Sequence, residues 1–131
     1  MGRISHILCL CLLTGCAALT TSPPLHRHTL TISSSDRTAL VAGEARLHFN
    51  TPVTVISIHK AEGYEDFLVA YHNPYPRYWI HFAFAGAVTT VEGAGPIMAI
   101  IIEATKIPTI KMTQVEQNGI ACTDCFIVKI Q

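Results

Sequence analysis

The chain has 131 residues, half of them hydrophobic and 14% charged, and its formal net charge is zero with neutral histidines. This length accommodates one domain with a single hydrophobic core, and the composition is too hydrophobic for an intrinsically disordered chain. The basic residues occur singly, without the clustering that holds a phosphate backbone, so the sequence argues against nucleic acid as a partner.

Residues 1–16 have the layout of an export signal. One early positive charge, Arg3, precedes an apolar stretch from Ile7 to Leu13, and small residues follow that stretch. The stretch is far shorter than the roughly 20 residues that a membrane-spanning helix needs. A permanent transmembrane segment is therefore not expected here.

The leader ends in Leu13-Thr14-Gly15-Cys16. This tetrapeptide resembles the lipobox of bacterial lipoproteins, in which a branched apolar residue, a small residue and Gly or Ala precede the lipidated cysteine. The resemblance implies removal of residues 1–15 as a signal peptide and acylation of Cys16 by diacylglycerol and an amide-linked chain such as palmitate. Several acyl chains together attach a protein to a membrane almost permanently. The alternative is an ordinary signal peptide cut near Ala17 or Ala18.

The residue after this cysteine bears on which membrane is used. An aspartate there would resemble the inner-membrane retention signal of enteric bacteria, and this chain has Ala17 instead. We therefore expect a lipid anchor in the outer membrane, with the protein facing the periplasm or the cell surface. Residues 16–27 are polar and contain prolines, as is typical of an extended tether. The folded domain is expected over residues 28–131.

Short apolar runs alternate with turn signals through this domain, which favours an all-β fold. Period-two alternation is clearest in residues 45–50 and 78–84, and it predicts that Tyr78, Ile80, Phe82 and Phe84 face the core. Further strands are expected over residues 29–33, 53–60, 66–72, 87–92, 97–103, 107–116 and a segment ending near residue 130. We predict an antiparallel β-sandwich of about eight or nine strands, with a small β-barrel as the alternative.

Two segments carry further expectations. Residues 97–102 are apolar at every position, which predicts a central strand covered on both sides, although a short buried helix has the same pattern. Asn118-Gly119 is the strongest turn signal, because both residues tolerate the positive φ of a type I′ turn. Val115 or Glu116 should therefore pair antiparallel with the residues that follow the turn.

Cys122 and Cys125 are the only free thiols left if the leader is removed and Cys16 carries lipid. Two cysteines left alone in an oxidising compartment are usually joined. Joining them requires a bend at Thr123-Asp124, because residues three apart on a flat strand point to opposite faces. Redox activity and metal binding are the alternatives for this pair, but thioredoxin-like sites lie at the start of a helix, and zinc sites need further ligands.

Histidines and aromatic residues give weaker signals. His48, His59 and His81 fall on expected strands and are weak candidates for a copper or zinc site, but the favoured interpretation is that they are solvent-facing or hydrogen-bonded imidazoles and that no metal is bound. Aromatic residues are concentrated in residues 71–84. Core packing accounts for most of them, but Tyr75, Arg77 and Trp79 are candidates for a partner-binding or carbohydrate-stacking surface.

The sequence has no Gly-x-Ser-x-Gly elbow, phosphate-binding loop or His-Glu-x-x-His motif, so we predict no catalytic residues and no cofactor. The leading interpretation is a non-enzymatic, membrane-anchored module that binds an envelope protein or takes part in envelope assembly. The alternative is a periplasmic protein that handles metal or redox equivalents through the strand histidines or the Cys122/Cys125 pair.

Overall fold

The computed structural model describes residues 23–87 and 91–131. Nine strands lie within them: β1 (His26–Ser34), β2 (Ala42–Phe49), β3 (Thr54–Lys60), β4 (Leu68–His72), β5 (Trp79–Ala85), β6 (Gly95–Ala104), β7 (Ile110–Gln117), β8 (Ile120–Ala121) and β9 (Phe126–Ile130). Neither described range contains a helix with the length and hydropathy of a membrane span.

The strands form two sheets. One has four strands in the order β3-β6-β1-β9, and the other has five in the order β4-β5-β2-β7-β8. Every neighbouring pair is antiparallel. The predicted antiparallel β-sandwich is confirmed, and because the strands divide into two separate sheets, the barrel alternative is wrong.

The core lies between the sheets and follows from the alternation in each strand. On β2, Ala45, Leu47 and Phe49 are buried while the residues between them are partly exposed. The neighbouring strand β5 buries Ile80 and Phe82 in the same way. Apolar residues spaced by two therefore turn to one side of each sheet, and the opposite side meets solvent.

The apolar segment 97–102 is a strand, not a helix, and β6 occupies a central position between β3 and β1. Beyond Ile97 and Met98, which are both buried at a bulge, only one side of the strand is fully covered. Ile100 and Ile102 are fully buried, whereas Ala99 and Ile101 are half-buried on the outer side. The expectation of cover on both sides was wrong, because the described residues form two layers and leave the outer side of this sheet partly exposed.

Residues 87–92 were expected to form a strand. Residues 88–90 lie outside the described residues, and Ala87, Val91 and Glu92 are not in a strand. The backbone that follows is held by a side chain instead, since the Arg37 guanidinium donates hydrogen bonds to the carbonyls of Glu92, Gly93 and Ala94 at 3.0–3.2 Å. Arginine fixes this loop without strand pairing.

Two predicted boundaries are also corrected. Tyr78 is 45% exposed and precedes β5, and its carbonyl accepts a hydrogen bond from Phe49 N. The core face of this strand therefore starts at Ile80. At the other end of the domain, β1 already begins at His26, so His26 and Arg27 belong to the sandwich and not to the tether.

The Asn118-Gly119 turn is confirmed. Both residues have positive φ, 52° and 78°, and the turn pairs Glu116 with Ala121 across β7 and β8. The Asn118 side chain also binds the start of β2: its Oδ1 accepts hydrogen bonds from Val41 N and Ala42 N at 2.9 and 3.2 Å. The turn is thereby fastened to the central strand of its own sheet.

Candidate functional site

The outer face of the five-stranded sheet carries a set of polar and aromatic side chains that alternate with the core residues. Cross-strand register brings them together, because directly paired residues have side chains on the same side of a sheet. We call these residues the outer face: Ala70, His72, Trp79, His81, Ala83, Glu44, Arg46, His48, Lys111, Thr113 and Glu116.

Arg46 and Trp79 form the centre of this face. Arg46 lies on β2 and Trp79 on the neighbouring β5, and the guanidinium carbon is 3.9 Å from the centroid of the indole ring. The His72 ring on β4 meets Trp79 perpendicularly, with the ring centroids 5.4 Å apart. Both Arg46 and Trp79 are half-buried. Three adjacent strands therefore contribute to one aromatic and cationic cluster.

The Arg46 guanidinium has no hydrogen-bond acceptor or carboxylate partner among the described residues. Its Nε is shielded from solvent and unpaired. A guanidinium has five donors in a rigid fork and cannot be deprotonated in proteins. The stacked cation therefore keeps its charge and its outward donors for another group.

The neighbouring strand β7 continues the cationic end of the outer face. His48 pairs with Lys111 across β2 and β7, and the His48 Nε2 and Thr113 Oγ1 atoms are hydrogen bonded at 2.8 Å. Lys111 is exposed and has no ion pair among the described residues. Arg46 and Lys111 are thus two cations without anionic partners on the same face.

The two carboxylates of the outer face lie at its other end. Glu44 Oε2 is 3.0 Å from His81 Nε2, and hydrogen bonds first from His81 and then from Glu116 lower the pKa of Glu44. The pKa of Glu116 is raised, because the protonated carboxyl donates a hydrogen bond to Glu44 and because two adjacent carboxylates repel each other. Glu44 is thus held by neighbours other than Arg46.

A depression of about 560 Å³ adjoins this acidic end. It is lined by Glu44, His81, Gln114, Val115, Glu116, Ala121, Cys122 and Thr123. Among the described residues, no group of three or more His, Cys, Asp or Glu side chains is arranged to hold a metal ion. The depression is a recess beside the disulfide with both polar and apolar side chains in its lining.

Cys122 and Cys125 are joined by a disulfide, with their Cα atoms 6.0 Å apart. The bend at Thr123-Asp124 that this bond requires is present and exposed. Cys122 N donates to Val115 O in the five-stranded sheet, and Cys125 O accepts from Ser35 N beside the four-stranded sheet. The disulfide therefore closes the turn by which the chain crosses from one sheet to the other.

The three candidate partner-binding residues occupy different positions. Tyr75 is 91% exposed and Arg77 is exposed, both in the loop between β4 and β5, while Trp79 is the first residue of β5. Asn73 closes this loop by donating to Trp79 O at 3.0 Å. Only Trp79 belongs to the outer face, and the other two lie at its rim.

The three candidate metal-binding histidines do not converge. His59 lies on β3 in the four-stranded sheet, where its Nε2 is 3.0 Å from Ser57 Oγ. His48 and His81 lie on the five-stranded sheet and contact Thr113 and Glu44, respectively. The hypothesis that these histidines share one metal site is therefore contradicted by their placement.

Sequence reasoning missed Arg46 and Glu116 as site residues. The signal for Arg46 was present, because it alternates with Ala45 and Leu47 and must face outward. What the sequence lacked was the register of β2 against β5 and β7, which sets the neighbours of each outward side chain. That register depends on long-range pairing and not on local pattern.

The fold and this face define the class of protein: a two-sheet antiparallel β-sandwich with a mixed polar and aromatic sheet surface. Among solved structures it is similar to cohesins. A non-cellulosomal cohesin from Archaeoglobus fulgidus matches with a TM-score of 0.58 and 11% identity, over 72% of this chain and 69% of that one.

A second cohesin gives a similar result. The third cohesin ScaC from Acetivibrio cellulolyticus, solved in complex with the ScaB dockerin, matches with a TM-score of 0.52 and 18% identity, over 80% of this chain and 82% of that one. At these identities the likeness is one of fold. No family model matches the sequence, and no curated protein matches it.

Proposed function

We propose that this chain is a membrane-anchored lipoprotein that binds a protein partner of the cell envelope through the outer face of its five-stranded sheet, without catalysing a reaction. The observation that carries the proposal is the Arg46 guanidinium, which stacks on Trp79 at the centre of that face and has no ion pair within residues 23–87 and 91–131. Arginine and tryptophan are the residue types that contribute most to protein interfaces.

The composition of the face supports this role. Thr113 pairs directly with Arg46, and Ala70 and Ala83 pair with each other further along β4 and β5; small side chains of this kind let a partner backbone approach closely. A mixture of aromatic, arginine and polar groups is typical of interfaces between proteins that also exist apart. The cohesin neighbour in complex with a dockerin supports the idea that this sandwich architecture is compatible with protein binding.

Membrane attachment is proposed from Leu13-Thr14-Gly15-Cys16. Mass spectrometry of the N-terminal peptide tests it, with a diacylglyceryl-modified and acylated Cys16 as the expected result. Cys16→Ser should release the protein from the membrane fraction. An unmodified N-terminus beyond residue 16, or a membrane-bound serine variant, would refute the anchor while leaving the binding face untouched.

Two matched alanines test the binding face. Ala83 lies half-buried on the outer face of the five-stranded sheet, and Ala99 occupies the equivalent half-buried place on the outer side of the four-stranded sheet. The measurement is co-isolation of bound envelope proteins with full-length Ala83→Arg and Ala99→Arg after membrane solubilisation. We expect Ala83→Arg to lose a partner that wild type and Ala99→Arg retain, and equal retention by both variants would refute this face.

A further inference from the structure

We propose that Arg46 and Lys111 together bind carboxylates of an acidic segment in the partner protein. This inference rests on the proposed function and names the chemistry that the outer face recognises. The observation behind it is the combination of two unpaired cations and an aromatic ring on adjacent strands.

Arg46 is organised for this role before any partner arrives. The indole of Trp79 at 3.9 Å limits the orientations of the guanidinium, so less side-chain freedom remains to be lost on binding. Its planar fork matches the two oxygens of a carboxylate, which gives paired, charge-assisted hydrogen bonds. The nearest acid on the same strand, Glu44, is held by His81 and Glu116 and forms no ion pair with Arg46.

Lys111 supplies a second positive charge at a defined spacing. Arg46 pairs directly with Thr113, and Lys111 is two residues away on the same strand and the same side of the sheet. Such diagonal neighbours are about 7–8 Å apart at their backbones. Both cations therefore lie on neighbouring strands of one face, where two acidic side chains of a single partner segment can reach them.

A protein segment fits this surface better than an acidic polysaccharide. Sugar rings bind aromatic side chains by stacking on an open ring face, but Arg46 covers one face of Trp79 and His72 packs perpendicularly against the same ring. Arg46 and Lys111 are the cations of the outer face that have no ion pair among the described residues. Carboxylates on a peptide can reach them without needing the indole face.

The single tryptophan makes the test specific, because all indole fluorescence of the chain comes from Trp79. The full-length protein in nonionic detergent is titrated with an alanine-based helical peptide carrying Glu at every fourth position, and with the same peptide carrying Gln. We expect the acidic peptide to change the emission of Trp79 and to lose this effect in high salt, and we expect no effect of the Gln peptide.

Variants identify the residues responsible. Arg46→Met keeps an apolar stem over Trp79 and should weaken binding of the acidic peptide by about tenfold or more, as the loss of a charge-assisted pair predicts. Lys111→Met should weaken it less. The matched control is Arg27→Gln, since Arg27 lies on the four-stranded sheet and is paired with Glu103 at 3.2 Å. Far-UV circular dichroism and the indole N–H resonance of each variant check that the fold is retained.

Several outcomes overturn the inference. Equal binding of the Gln peptide, equal loss in Arg27→Gln, or unchanged binding in Arg46→Met would each refute recognition of carboxylates by Arg46. Equally tight binding of an oligogalacturonate would refute a protein segment as the preferred occupant. A partner that Ala83→Arg releases but folded Arg46→Met retains would refute this inference and leave the proposed function intact, whereas retention by Ala83→Arg would refute the proposed function itself.

Discussion

The Arg46 guanidinium carbon lies 3.9 Å from the centroid of the Trp79 ring, across the neighbouring strands β2 and β5. Because Arg46 has no carboxylate partner among the described residues, the ring is its principal interaction. A partly exposed cation over tryptophan stabilises a fold by about 0.5–1 kcal/mol.

A double-mutant cycle measures this contact. We expect Arg46→Met, Trp79→Leu and the double variant to give a coupling energy of about 0.5–1 kcal/mol in urea unfolding. A parallel cycle with Arg27→Gln in place of Arg46→Met should give no coupling, since Arg27 lies on the other sheet. Additive effects of Arg46→Met and Trp79→Leu would contradict a direct interaction.

The one-sided burial of β6 predicts unequal effects of neighbouring isoleucines. Ile100 is fully buried between the sheets, so Ile100→Ala should lower the free energy of unfolding by about 2–5 kcal/mol. Ile101 is half-buried on the outer side, and Ile101→Ala should cost clearly less. Chemical denaturation of the two variants compares them directly, and equal losses would indicate that the outer side is covered after all.

The disulfide predicts a redox-dependent stability. Closing a turn this short restricts the unfolded chain by about 2 kcal/mol in the loop-entropy treatment. Reduction of the wild type should therefore lower the free energy of unfolding by about that amount. The Cys122→Ser/Cys125→Ser variant should have the same free energy of unfolding as the reduced wild type, with or without reductant. A reductant effect that persists in the double serine variant would show that another group is responsible.

The Glu44 and Glu116 carboxyls predict a pH-dependent effect of one substitution. Because the pKa of Glu116 is raised, this carboxyl contributes to the stability of the fold at low pH. That contribution to stability is lost as pH rises through the folded pKa. Glu116→Gln keeps a hydrogen-bond donor toward Glu44 and removes the repulsion between the charges. Its melting temperature should therefore exceed that of wild type at neutral pH and match it below the ordinary glutamate pKa.

An exposed glutamate provides the control for this substitution. Glu62→Gln, in the connection between β3 and β4 and on neither sheet, is the matched control for the removal of one negative charge. A melting temperature of Glu116→Gln that lies below wild type at neutral pH would contradict repulsion between Glu116 and Glu44.

The local sequence pattern predicted the strands and turns better than it predicted what packs against them. Alternation over residues 45–50 gave the strand and its core side, and Asn118-Gly119 gave a turn with its pairing, because both signals reside within a few neighbouring residues. The cover over residues 97–102 was misjudged, since an apolar run does not report how many layers pack against it. The alternation also placed Tyr78 on the core side, but this residue lies before β5 and is 45% exposed.

The candidate site was predicted only in part for the same reason. Trp79 was recognised from its residue type, but its partners Arg46 and His72 come from two other strands. The grouping of His48, His59 and His81 was wrong because the sequence does not show which sheet each strand belongs to. Sites assembled across a sheet require the strand order and register, which are properties of the whole fold.

Photo-crosslinking in living cells determines directly whether the outer face of the five-stranded sheet contacts a partner protein. A photoreactive amino acid is placed at Ala83 on the outer face, or at Ala99 on the other sheet, in the full-length protein. We expect the photoreactive group at position 83 to crosslink one discrete envelope protein, and we expect no such product from position 99. The same product from both positions, or a product from position 99 alone, would contradict a partner-binding role for the five-stranded sheet.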